Sequence, residues 1–344
     1  MELTVTPKQA KEHITTNIRA GLVTMLHGHP GLGKSDIVKE VANQFKLKLI
    51  DFRATQMDPT DVNGFGTIIK EGDNAFARYV PFDVFPLEDT PVPEGYKGFC
   101  LFFDELPSAS KAVEAALYKV LLDRKIGQKN LHPKTAIVAA GNLATSGAIV
   151  NRQGTATQSR MVHLTLSADP IGWIEWASKN NIDFRVISYV SNFPDKLHDF
   201  DPKHSDKTFA SPRTWHFLSR ILKVIGDKPL KESLVNIAGT IGEGAARQFV
   251  AFSESLVELP SMKEIIANPF TTKVSDKPSL LHAVTHLIAA HLDEKNVDRV
   301  INYINRLPIE FQTICLQNAI HRNRELINQD VIQSWIIEKG ELLL

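Results

Sequence analysis

The stretch Leu22 to Asp36, LVTMLHGHPGLGKSD, constrains this chain more than any other. From Gly28 through Gly33 and Lys34 to Ser35 it fits G-x-x-x-x-G-K-[ST] without a gap. An apolar run, Leu22 to Leu26, precedes it and an amphipathic segment, Asp36 to Phe45, follows. Strand, glycine-rich turn and helix in that order are the Walker A phosphate loop. A triphosphate needs many donors at close range, and glycines let the backbone turn tightly enough to aim its N–H groups at the oxygens. The positive end of the following helix adds to them. The loop residues Gly28, His29, Pro30, Gly31, Leu32, Gly33, Lys34, Ser35 and Asp36 are therefore the expected nucleotide-binding set. Lys34 would reach the β- and γ-phosphates, and the Ser35 hydroxyl would ligate the Mg²⁺ that bridges them.

With 344 residues the chain is long enough for two domains with real cores. Lys and Arg number 39, as do Asp and Glu. There is thus no overall basic field of the kind that holds a dedicated nucleic-acid binder on phosphates, so nucleic acid is allowed but not indicated. Cys100 lies in an apolar strand pattern and Cys315 on an apolar helical face, so both read as small core residues in a reducing compartment. No apolar run approaches the roughly 18 residues of a membrane span, and the N-terminus lacks a charged-then-apolar signal. The expectation is a soluble, cytoplasmic protein that does not engage membranes.

Taken in order, Thr6-Pro7 opens a helix running to about Arg19, and strands are expected at Leu22 to Leu26 and Lys48 to Arg53 on either side of the phosphate loop and its helix. Gly66 to Ile69 and Ala75 to Val80, joined by a polar turn, read as a hairpin inserted in the core, and Arg124 to Leu131 as a second, shorter one. Phe99 to Phe103 is apolar on both faces, which suits the middle of a parallel sheet. A helix over Ser110 to Asp123 and strands over Thr135 to Ala140 and Met161 to Leu166 complete the alternation. The fold class is α/β: a P-loop NTPase with a parallel five-stranded sheet covered by helices on both faces. From Asp169 the strand pattern stops and helical spacing takes over, with one long helix read across Asp227 to Gln248. Residues 1–168 are read as the nucleotide-binding core with its hairpin inserts, 169–259 as an all-α lid, and 260–344 as a helical C-terminal extension.

The buried strand ends in Asp104-Glu105, a Walker B pair. Successive strand residues point to opposite sides, so Asp104 can hold the Mg²⁺ shell while Glu105 orients and deprotonates the water that attacks the γ-phosphate. Asn142, after the next strand, would reach the same phosphate and help place that water. His282, His286 and His291 lack a glutamate in H-E-x-x-H spacing and a third ligand, which favours a polar helix stripe over a metal site. Phe65 and Phe76 are candidates for gripping a partner, and Arg53 for sensing nucleotide or a neighbour or for forming a buried ion pair.

Gly-His-Pro-Gly-Leu-Gly-Lys-Ser, the Asp-Glu strand, Ala140-Gly141-Asn142, the arginine before Met161-Val162, and Ala210-Ser211-Pro212-Arg213-Thr214-Trp215 together resemble the MoxR-type AAA+ ATPases over roughly Ala10 to Leu222. That resemblance implies a Mg²⁺-dependent ATPase assembled as a homo-oligomeric ring, usually a hexamer, with ATP at each subunit boundary. It implies sensor-1 Asn142, sensor-2 Arg213 from the lid, and Arg160 as an arginine finger acting on the neighbour's ATP. The family usually has Arg-Phe where this chain has Ser159-Arg160-Met161, and Arg152 is close enough to compete for that role. The two hairpins resemble pore-facing inserts of this clade, or are decorated loops. A chaperone-like machine that remodels or assembles a protein partner follows from the resemblance, and so does a von Willebrand factor A domain protein as that partner. Two other classes stay open: a nucleic-acid-associated motor, which DNA-stimulated hydrolysis would indicate, and an ATP-controlled ring or filament assembly protein.

Overall fold

In the computed structural model the described residues are 3–71, 74–146, 154, 158–203, 206–226, 228–256 and 259–339. They form two compact units, Met1–Ala168 with Asp201–Lys203, and Asp169–Phe200 with His204–Leu344.

The first unit is built on β1 (Val23–His27), β2 (Leu47–Arg53), β5 (Gly98–Asp104), β8 (Thr135–Gly141) and β9 (Met161–Thr165). These pair in the order β2-β5-β8-β1-β9, all parallel. Parallel neighbours need crossovers, and the helices that supply them cover both faces. One apolar layer, including Leu101, Phe103, Val113, Leu117 and Ile137, lies on one face. The other, including Ile14, Ile37, Val41, Phe102 and Val138, lies on the opposite face. Every residue of β5 is buried, as a strand apolar on both faces requires. Cys100 is among them, and burial pushes its thiol up to about 12.

Local chemistry sets the helix starts. α1 (Pro7–Arg19) opens on Thr6, whose hydroxyl accepts from the Gln9 N–H while the Gln9 side chain accepts from the Thr6 N–H, with proline at the first position. α2 (Lys34–Gln44) begins two residues earlier than apolar spacing indicates, inside the phosphate loop itself, because Gly33 takes the left-handed conformation that turns the chain into the helix. α3 (Pro59–Asn63) is a short turn before the antiparallel ribbon β3 (Phe65–Glu71) and β4 (Asn74–Val80). The turn expected over Glu71 to Asn74 is shorter than that, since Glu71 ends β3 and Asn74 opens β4, and residues 72 and 73 lie outside the described residues. Phe65 and Phe76 are both exposed on it. α4 (Lys111–Asp123) is capped by Ser110, and β6 (Lys125–Ile126) with β7 (Lys129–Asn130) make the second small hairpin.

In the second unit the described elements are helical. α5 (Pro170–Lys179), α6 (Phe184–Asn192), α7 (Pro212–Ile225), α8 (Leu234–Ile241) and α9 (Glu243–Ser255) share one core around Tyr189, Trp215 and Phe249. α10 (Met262–Ala267), α11 (Pro278–His291), α12 (Val297–Ile304), α13 (Ile309–Arg322) and α14 (Asp330–Lys339) enclose a second around Ile288, Tyr303 and Leu316. The long helix expected over Asp227 to Gln248 is two helices. Gly242, at φ 90°, breaks the chain between α8 and α9, a conformation that glycine reaches without a side-chain penalty and that apolar spacing does not reveal. Cys315 is fully buried in the second core and its thiol is pushed up by burial.

Candidate nucleotide site

The carboxyl ends of β1, β5 and β8 meet at one edge of the sheet, where open α/β folds bind their ligands. The loop after β1 turns through Gly31 at φ 83° and Gly33 at φ 82°. A Cβ on Gly33 would meet nothing nearer than Asp36 Oδ2 at 3.9 Å, so glycine is needed there for backbone conformation, not for space. At Gly141 the requirement is the reverse. A Cβ there would stand 2.2 Å from Pro107, in the turn after Glu105, so the bare backbone lets the ends of β8 and β5 close against one another.

That closeness brings four expected residues together. Lys34 is buried, and its ammonium donates to the carbonyls of Gly28 at 2.8 Å and His29 at 3.0 Å and to Asn142 Oδ1 at 3.0 Å. Ser35 Oγ donates to Asp104 Oδ2 at 2.8 Å. A hydroxyl and a buried carboxylate converging on one point are hard oxygen donors, a set that fits Mg²⁺. His29 Nδ1 lies 2.8 Å from Ser146 Oγ, and burial, then Lys34, lowers the pKa of this histidine. Asp36 stands in the first turn of α2, where a carboxylate suits the helix dipole.

Glu105 follows Asp104 in the left-handed region, at φ 58° and ψ 26°. For a residue with a full side chain this backbone is strained, and such strain gathers at functional sites. The turn aims the carboxylate toward the end of β2. There Thr55 Oγ1 donates to its Oε2 at 2.7 Å, and Arg53 Nη1 stands 3.5 Å from its Oε1. Arg53 is thus paired, but more than half exposed, not buried. Sequence reasoning missed Thr55 and Ser146. Their only signal is position, two residues past one strand end and a few past another.

Arg160 stands just before the amino end of β9, the sheet end opposite the phosphate loop. Its Nη1 donates to the Tyr118 hydroxyl on α4 at 2.7 Å, with the guanidinium 5.4 Å from the ring centroid. Arg152 lies outside the described residues. Arg213 is the second residue of α7, exposed, in the second unit. Its position is set by Ser211, whose hydroxyl caps the helix, and by the proline at its first turn. Of the three C-terminal histidines, His282 packs on Phe311, His286 Nε2 lies 3.3 Å from Ser191 Oγ, and His291 Nδ1 donates to the Leu287 carbonyl. Among the described residues no three His, Cys, Asp or Glu are grouped to hold a metal. No helix among them is long and apolar enough to cross a membrane.

A parallel sheet with a glycine-rich loop after β1 and an Asp-Glu pair after a buried strand defines a P-loop nucleoside-triphosphatase fold, here of the AAA+ kind with a helical C-terminal part. Residues 24–152 match the family described as AAA, ATPase family associated with various cellular activities. No curated protein matches the sequence. Among solved structures the chain is similar to a candidate ATPase from Cytophaga hutchinsonii, at 16% identity over 99% of this chain and 90% of that one with a TM-score of 0.37. It is also similar to NtrX from Brucella abortus in complex with ADP, at 15% identity over 100% and 70% with a TM-score of 0.41. A point mutant of RuvB from Thermotoga maritima matches at 15% identity over 87% and 85% with a TM-score of 0.39.

Proposed function

We propose that this protein is a MoxR-type AAA+ ATPase that hydrolyses ATP at the subunit boundaries of a homo-oligomeric ring, a hexamer by the family's habit, to remodel or assemble a protein partner. The observation that carries the hydrolase reading is the convergence of Lys34, Asn142, Ser35 and Asp104 within hydrogen-bond distance at the ends of three strands. The residues Gly28 to Asp36 cradle the triphosphate, with Lys34 turning from the Gly28 and His29 carbonyls to the β- and γ-phosphates. Ser35 and Asp104 would hold Mg²⁺, which would supply charge neutralisation at the phosphates. Glu105 takes the proton from the attacking water, and Asn142 helps place that water. Arg213 acts on the γ-phosphate from the lid, read as 169–259, with 260–344 as a separate extension. Each part has an apolar core of its own, and Leu256, Leu280 and Ala283 join the two into one compact unit. The ring, the chaperone-like action, the von Willebrand factor A domain partner and the cytoplasmic setting rest on the motif resemblance.

Arg160 is read as the finger for the neighbour's ATP, a reading supported by its place at the sheet end opposite its own phosphate loop. A charge supplied in trans is worth roughly 10³-fold or more in rate and less in ground-state binding. Arg160→Ala should therefore bind ATP and hydrolyse it poorly. Mixed with Lys34→Ala, it creates boundaries that pair an intact loop with an intact finger, and part of the activity should return. Absence of recovery in mixtures shown to co-assemble would remove Arg160 from the trans role and make Arg152 the next candidate.

A further inference from the structure

Two histidines join the start of the phosphate loop to the turn that carries Arg160. His27 ends β1, immediately before Gly28, and His163 lies on the neighbouring edge strand β9, where it pairs in register with Met25. Residues two apart along adjacent strands project to the same sheet face, so the two imidazoles meet there. Their rings are nearly parallel, 15° apart, with centroids 5.2 Å apart, and His27 Nε2 lies 2.9 Å from His163 Nδ1. The other nitrogen of His163, Nε2, lies 2.9 Å from the Gln158 carbonyl oxygen. A carbonyl only accepts, so this nitrogen carries a hydrogen. One shared N–H between the two rings then completes an unbroken chain from the end of β1 to the backbone of Gln158. Two residues on, Arg160 rests on Tyr118.

The loop end of this chain holds a contact that a bound nucleotide would compete for. Lys34 donates to the carbonyl of Gly28, the residue after His27. A lysine drawn to a triphosphate would leave that carbonyl, freeing the Gly28–His29 peptide one residue beyond His27. His27 itself is held neutral: burial first, then His163, then Lys34, bring it down to about 4. At neutral pH it acts as a hydrogen-bonding group and not as a charge.

We propose that His163 is a positioning residue that couples each subunit's own phosphate loop, through His27, to the Gln158 turn, and so sets whether Arg160 stays on Tyr118 or extends to the neighbour's ATP. The inference deepens the ring reading and rests on Arg160 acting in trans. It makes His163 important for turnover next door and unimportant for ATP binding at home, a separation that a purely structural histidine on an edge strand would not produce.

The test uses the full chain with His163→Phe, which keeps a ring against His27 but can neither accept from it nor donate to Gln158, and His163→Gln, which keeps an acceptor and a donor. His163→Phe should bind ATP within about twofold of the unmodified protein and lose roughly ten- to hundredfold in kcat, the scale of a misplaced reacting group. His163→Gln should retain most of the rate. Mixed with Lys34→Ala, His163→Phe should recover activity as Arg160→Ala does, since a Lys34→Ala subunit keeps its own His27–His163–Gln158 link and lacks the lysine contact to Gly28 whose loss releases the finger. Unchanged kcat in His163→Phe overturns the coupling, as does an equal loss in the Gln variant. Recovery with Arg160→Ala but not with His163→Phe also overturns it, by placing the defect in the subunit's own loop, while the ring reading stands. No recovery with Arg160→Ala removes Arg160 from the trans role, and the coupling with it.

Discussion

The hydroxyl of Thr55 donates a 2.7 Å hydrogen bond to Glu105, the residue proposed as catalytic base. With Arg53 3.5 Å from the other carboxylate oxygen, both oxygens of Glu105 are engaged at the end of β2. A carboxylate held in this way is turned toward its holders, so the pair should restrain hydrolysis until Glu105 is released. A hydrogen bond that is partly exposed to solvent nets about 0.5–1.5 kcal/mol. Thr55→Val should therefore raise basal ATP turnover by about three- to tenfold. Steady-state hydrolysis without any partner checks it, and a lowered rate would mean that Thr55 aims the base productively.

Lys34→Ala and Glu105→Gln should fail differently. The first removes the charge that meets the phosphates, so ATP affinity collapses. The second keeps the charge and loses the proton acceptor, so binding persists while turnover falls by roughly 10²-fold or more. Titration of a fluorescent ATP analogue beside a phosphate-release assay separates them, and normal turnover in Glu105→Gln would remove Glu105 from the role of base.

Ser35→Ala takes one of two hard oxygen donors from the proposed Mg²⁺ site while leaving Asp104 in place. Hydrolysis should drop at least about tenfold and regain part of the loss at high Mg²⁺, and chelating the metal should abolish it in the unmodified protein. Hydrolysis that survives chelation would count against the site.

Arg213→Ala should weaken ATP more than ADP, because ADP lacks the γ-phosphate that the lid arginine is proposed to touch. The cap on α7 comes from Ser211 and stays in place in this variant, so an unchanged circular dichroism spectrum separates the effect from a folding defect. Equal weakening of both nucleotides would assign Arg213 to lid structure.

Acid should destabilise the helical unit through His286. This histidine is 3% exposed, and burial first, then His282 and Arg322, bring it down to about 3. Between the unfolded value of 6.5 and about 3, the unfolded chain takes up a proton that the folded chain refuses. Stability therefore falls as pH drops below 6.5, by up to about 1.4 kcal/mol per pH unit. His27, brought down to about 4, adds a contribution of the same sign from the first unit. Urea midpoints at pH 7 and pH 5 should lie closer together in His286→Gln than in the unmodified protein, and an equal gap would show that His286 is not the acid-sensitive group.

Much of the site was legible in one dimension because its chemistry is local. Gly28 to Ser35 must be contiguous to wrap one phosphate group, and Asp104-Glu105 must end an apolar run to sit at the edge of a buried sheet. Apolar runs of five to seven residues separated by amphipathic segments likewise announce a parallel sheet, since only a strand buried on both faces needs them. What only the tertiary structure decided is which distant residues share a point in space. Strand order sets β5 and β8 side by side, and the missing Cβ of Gly141 lets them close, so that Asn142 meets Lys34 across 108 positions of chain. Thr55 on Glu105, His163 on His27 and Arg160 on Tyr118 are invisible in sequence for the same reason. Each is a single polar side chain whose role depends on sheet register and on the direction of a strand end, and neither of these leaves a periodic trace along the chain.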